Sequence, residues 1–99
     1  LIVRADRSVE PLSPTGPVIG LLPNAGWTST TARLERGDAL LLYTDGVIEA
    51  TVDGEEFGLE RLRDLAAAIA HRSADGIARA IMSAAPHHDD DTTVVVVQR

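Results

Sequence analysis

The run Ala39-Leu40-Leu41-Leu42-Tyr43-Thr44 constrains the fold of this chain more than any other stretch. It is apolar at nearly every position, too short for a buried helix, and bracketed by the turn-forming Arg36-Gly37-Asp38 and Asp45-Gly46. Such a run suits a central strand covered on both faces, so the chain must supply or meet partner strands and covering layers. A second strand is written in Thr92-Thr93-Val94-Val95-Val96-Val97, β-branched throughout. Leu1 to Val3 and Val9 to Leu12 flank Asp6-Arg7-Ser8 and predict strand, turn, strand. Pro11, Pro14, Pro17 and Pro23, with Gly16, Gly20 and Gly26, make the stretch to Trp27 mostly loop, and Thr30 to Leu34 is β-prone again.

From Gly58 the period changes. Leu59, Leu62, Leu65, Ala66, Ile69 and Ala70 share one face at helical spacing, which predicts an amphipathic helix to about His71. Ser73 is a suitable N-cap for a second helix whose apolar face carries Ile77, Ile81 and Ala85, with Pro86 just past its end. The order of strands, two helices and a closing strand places the chain in the α/β class, of α+β type.

The composition narrows the function. A formal charge of −6 on 99 residues, with scattered Arg and no Lys, argues against a nucleic-acid partner. The longest apolar stretches fall far short of the roughly 20 residues of a membrane-spanning helix. With no Cys there is no thiolate metal site, and a reducing, cytoplasmic setting is expected; any metal must be held by oxygen or imidazole. The start at Leu1, without an initiator Met or a signal sequence, suggests a point inside a longer protein.

Two acidic motifs carry possible chemistry. Tyr43-Thr44-Asp45-Gly46-Val47 puts a carboxylate at the end of the buried strand, although Asp-Gly is also a common hairpin turn. Asp53-Gly54, set between polar residues, is a natural control for which the turn reading suffices. His87-His88-Asp89-Asp90-Asp91 leads into the last strand, and three adjacent carboxylates are costly unless they stay solvated or meet a cation. If the strand ending at Asp45 runs antiparallel to the one beginning near Thr92, the two motifs meet at one end of the sheet. Carboxylates plus water then form the oxygen-only donor set expected for Mg²⁺ or Mn²⁺.

These residues resemble the SpoIIE/RsbU-type phosphatases of bacterial stress and sporulation signalling, a branch of the protein phosphatase 2C superfamily. Gly16-Pro17-Val18-Ile19-Gly20-Leu21 is similar to the family's Gly-x-x-Leu-Gly loop, with Ile19 in place of the usual Leu. The segment from Arg36 to Ala50 resembles its most recognisable block. Phe57-Gly58-Leu59-Glu60-Arg61-Leu62 is similar to the opening of the next helix, and Asp90-Asp91-Thr92-Thr93 to the closing Asp-Asp-x-Thr motif.

The resemblance implies that residues 1–99 are the C-terminal half of a four-layer α-β-β-α sandwich with mainly antiparallel sheets and two helices. It implies a two-metal Mn²⁺ or Mg²⁺ centre to which Asp45, Asp90 and Asp91 are the candidate ligands, Asp90 being favoured within the closing motif. The alternative register Asp89-Asp90-Asp91-Thr92 satisfies the same spacing. The bridging Asp of the family lies in a motif upstream of Leu1, so the N-terminal half of the domain, or an upstream sensor domain, becomes an expected partner. For the complete domain the resemblance implies hydrolysis of phosphoserine or phosphothreonine on a regulatory protein, an anti-sigma factor antagonist, and for the 99 residues alone no activity. The lack of a Cys nucleophile counts against the cysteine-dependent phosphatases and not against this class. The rival is a non-catalytic phosphatase-like module that binds a partner or couples to a sensor.

Overall fold

Val94 to Gln98 lie antiparallel to Ala39 to Tyr43 in the register Leu40↔Val97, Leu41↔Val96, Leu42↔Val95 and Tyr43↔Val94. This pairing is the backbone of the computed structural model, which describes residues 1–86 and 91–99. Strands β1 (Ile2–Val3), β2 (Val9–Glu10), β3 (Ala39–Tyr43) and β6 (Val94–Gln98) form one antiparallel sheet in the order β2-β1-β3-β6. Between β3 and β6 come α1 (Asp45–Ile48), β4 (Thr51–Val52), β5 (Glu55–Glu56), α2 (Gly58–Ala68) and α3 (Ala74–Ala84). The class is mixed α+β, as expected, with one helix more than the sequence predicts. At four residues, α1 is too short to show a helical period.

The helices cover one face of the sheet. Leu62, Ala66, Ile77 and Ile81 from α2 and α3 are buried with Val3, Ala39 and Leu41 from the strands. Burying the larger of these, Leu62, Ile77, Ile81, Val3 and Leu41, contributes about 1.5–3 kcal/mol each. Ser73 caps α3 as its sequence predicts, its Oγ accepting a hydrogen bond from the Gly76 N–H at 3.1 Å. Leu59 departs from the predicted helix face: it is 41% exposed and lines a groove of about 430 Å³ with Leu1, Leu12, Leu40 and Leu42.

That groove borders a face that carries no helix. Leu42, Val95 and Val97 point away from the core and are 50%, 47% and 49% exposed. The expectation that β3 is covered on both faces is therefore not met within the described residues. Alternate positions of β3 are buried, and the run is continuously apolar because both faces are apolar, not because both are covered here.

Thr30 to Leu34 form no strand. Two of their carbonyls are taken instead by arginines, Arg4 Nη1 donating to Arg33 O at 2.6 Å and Arg99 Nη1 to Leu34 O at 2.7 Å. Asp53-Gly54 is the turn of the β4–β5 hairpin, with φ of 51° and 81° at its two residues. Two successive left-handed residues are the signature of the tight turn that this dipeptide favours. Among the described residues no helix is long and apolar enough to cross a membrane.

Candidate metal centre

Strand β3 ends and α1 begins at a single residue, Thr44. Its carbonyl accepts the Val47 N–H at 3.0 Å, closing the first turn of α1. Its own N–H still belongs to the sheet, donating to Thr93 O at 3.1 Å. The Thr44 hydroxyl accepts from the Thr93 N–H at 2.9 Å and donates to Asp91 O at 3.1 Å. No side-chain cap forms at the start of α1, although Thr is a suitable capping residue.

Asp45 is the first residue of α1 and is exposed to solvent. On its other side Gly46 is buried and closely packed: a Cβ placed there falls 2.6 Å from Asp91 O and 2.7 Å from Thr92 Oγ1. Both neighbours of Asp45 thus lie against the main chain of Asp91, and the Asp45 and Asp91 segments meet at one end of the sheet. The Asp45-Gly46 dipeptide is not a hairpin turn. Gly46 is needed for close approach of two backbones, whereas Gly54 is needed for a left-handed conformation.

Of the sequence-predicted ligands, Asp45 and Asp91 lie on the two segments that meet, while Asp90, with His87, His88 and Asp89, lies outside the described residues. Two solvent-facing carboxylates suit a hydrated hard cation such as Mn²⁺ or Mg²⁺, which keeps several waters and needs few protein oxygens. Among the described residues no group of three or more His, Asp or Glu side chains is placed to hold a metal ion. A shallow hollow of about 130 Å³, lined by Leu42, Tyr43, Thr44, Thr93 and Val95, adjoins the two carboxylate segments.

Besides Gly46, two residues gain roles that the sequence did not disclose. Thr44 is one; the only sequence signal is a hydroxyl residue immediately before Asp-Gly. Asp38 is the other, read from sequence as part of a turn. Its side chain is 4% exposed, and it accepts from Arg4 Nη1 at 2.7 Å, the Ala5 N–H at 2.9 Å and the Glu35 N–H at 2.9 Å. The hydrogen bond from Arg4, followed by those from Ala5 and Glu35, holds the Asp38 carboxyl below its ordinary range. This cluster ties the β1–β2 turn to the entrance of β3.

Protein IcfG of Synechocystis sp. is 34% identical over 64 residues, which cover 64% of this chain and 10% of that protein. The chain therefore spans about a tenth of the length of this curated relative. No solved structure matches the chain. The family model for stage II sporulation protein E (SpoIIE) matches residues 1–99, and the chain belongs to the SpoIIE family.

Proposed function

We propose that this chain is the C-terminal part of a metal-dependent serine/threonine protein phosphatase domain, contributing Asp45 and the Asp90-Asp91 pair to a Mn²⁺ or Mg²⁺ centre. The observation that carries the reading is the convergence of the Asp45 and Asp91 segments, through Thr44 and Gly46, at one end of the β3–β6 ladder. Membership of the SpoIIE family supports phosphatase chemistry. The remaining ligands and a second sheet come, in this reading, from the N-terminal half of the domain. The half-exposed Leu42, Val95 and Val97 support that view, since an apolar sheet face of this kind calls for a cover.

Divalent cations at such a site supply Lewis acidity toward water and toward the phosphoryl oxygens. The chain's own residues do the holding: Asp45 and the Asp90-Asp91 pair provide negative charge, while Thr44 and Gly46 set the spacing of the two segments. No side-chain nucleophile is needed. The substrate is a phosphoserine or phosphothreonine on a regulatory protein, an anti-sigma factor antagonist. A non-catalytic interaction module has no use for two acidic segments held against each other, which favours the catalytic reading.

The test is Asp45→Asn in the full-length protein, assayed for Mn²⁺-dependent phosphate release from a phosphoserine protein. The variant is expected to keep its melting temperature and lose most of its activity. Turnover equal to that of the unmodified protein at saturating Mn²⁺ would remove Asp45 from the centre.

A further inference from the structure

An antiparallel ladder faces a difficulty where one of its strands turns into a helix. Position 44 continues the β3–β6 register, opposite Thr93, and a hydrogen-bonded pair there exchanges two N–H to O bonds. One is made, from Thr44 N–H to Thr93 O. The other needs the Thr44 carbonyl, which is already bonded to Val47 N–H as the first bond of α1. The Thr44 hydroxyl takes its place, accepting from Thr93 N–H at 2.9 Å. Its own proton goes one step further along the partner segment, to Asp91 O at 3.1 Å. The side chain thus stands in for a backbone acceptor and extends the ladder past the end of the strand.

We infer that Thr44 is a positioning residue, its hydroxyl holding the 91–93 segment against the end of β3 so that the chain at Asp91 stays beside the Asp45 segment. The inference rests on the metal-centre reading above and adds to it a residue that is not itself a ligand. Three hydrogen bonds run from Thr44 to this segment, at Asp91 and on both backbone atoms of Thr93. The Asp91 carbonyl is also the atom nearest to a Cβ built on Gly46, so the clamp and the close approach act at the same point. Removing the hydroxyl takes away two of these three hydrogen bonds and leaves the one from Thr44 N–H to Thr93 O.

The experiment compares Thr44→Val, which keeps the shape and loses the hydroxyl, with Thr44→Ser, which keeps the hydroxyl. Both are made in the full-length protein, and Mn²⁺ alone is the probe, titrated by calorimetry. Loss of a group that orients a metal ligand weakens metal affinity by about 10–100-fold. Thr44→Val is expected to show a loss in that range and Thr44→Ser affinity close to the unmodified protein. Unchanged Mn²⁺ affinity in a folded Thr44→Val protein would overturn the inference, as would equal losses in both variants.

Asp45→Asn run alongside separates the two ideas. If it weakens Mn²⁺ binding and Thr44→Val does not, only the positioning role fails; if it has no effect, the metal-centre reading fails. Should Thr44→Val not fold, amide hydrogen exchange at Thr93 in the unmodified protein decides. Slow exchange there supports the hydroxyl acceptor, and exchange at the rate of an open loop overturns it.

Discussion

Arg4 and Asp38 are joined at 2.7 Å across 34 positions of sequence, and the carboxylate they share with Ala5 and Glu35 is buried. The Arg4 guanidinium also reaches Glu10, so a single side chain links the β1–β2 turn, strand β2 and the entrance to β3. Because Asp38 is held below its ordinary pKa, it stabilises the fold above the unfolded carboxyl value of about 3.9. That contribution is lost as pH falls through the lower, folded value. Asp38→Asn is therefore expected to melt below the unmodified protein at pH 7, with the gap narrowing as pH drops below about 4. A gap constant down to pH 2 would show that the charge on Asp38 is not what stabilises the cluster.

Gly46→Ala tests the close approach directly. The new methyl group meets a backbone carbonyl, which cannot swing aside as the end of a flexible side chain can. Overpacking of this kind costs about 1–3 kcal/mol, and here it also pushes the acidic segment away from Asp45. Denaturant unfolding and Mn²⁺ titration of the full-length protein should both register the change. At Gly54, where nothing lies within 4 Å, Ala is expected to cost only the strain of a left-handed residue, about 1–2 kcal/mol, with Mn²⁺ affinity unaltered.

Leu62→Ala removes a fully buried side chain and should destabilise the protein by about 2–5 kcal/mol. Arg63→Ala, one position on and exposed, loses only a 3.3 Å hydrogen bond to Val9 O and is expected to cost far less. Equal shifts in thermal melting would contradict the orientation of α2.

Separate alanine substitutions at Asp89, Asp90 and Asp91 should reduce Mn²⁺-dependent phosphate release most at Asp90. A largest loss at Asp89 would select the other register of the closing motif, and Thr44 would then hold its main-chain contact two residues from the ligand instead of one.

Much of the architecture was legible because it is written in periods and in strong local preferences. The helical spacing from Leu62 to Ala70, the Ser73 cap and the Val94 to Val97 strand each depend on a few residues whose neighbours agree with them. The sequence was less informative where a residue's partner lies far along the chain. Thr30 to Leu34 are β-prone in sequence, but the carbonyls of Arg33 and Leu34 go to Arg4 and Arg99, and among the described residues no strand pairs with the segment. The continuous apolarity of β3 speaks for two apolar faces without saying what lies on each. Leu59 fits the helical period, but it sits at the start of α2 and lines the open groove. At the candidate site, Asp45 and its approach to the Asp91 segment followed from strand direction. Thr44 and Gly46 did not, because their roles consist of contacts with residues almost fifty positions away.

The two Asp-Gly pairs of this chain differ in the residue that precedes them. Before Asp53 stands Val52, whose strand folds back on its immediate neighbour. Before Asp45 stands Thr44, whose strand must keep hold of a partner arriving much later. Val and Thr are nearly interchangeable in strand preference and in volume, so selection for the sheet alone would let them drift into one another. A sheet end held by that hydroxyl is expected to accept only Thr or Ser at position 44. The identity of one surface side chain then distinguishes an Asp-Gly that merely reverses the chain from one that follows a junction between distant segments.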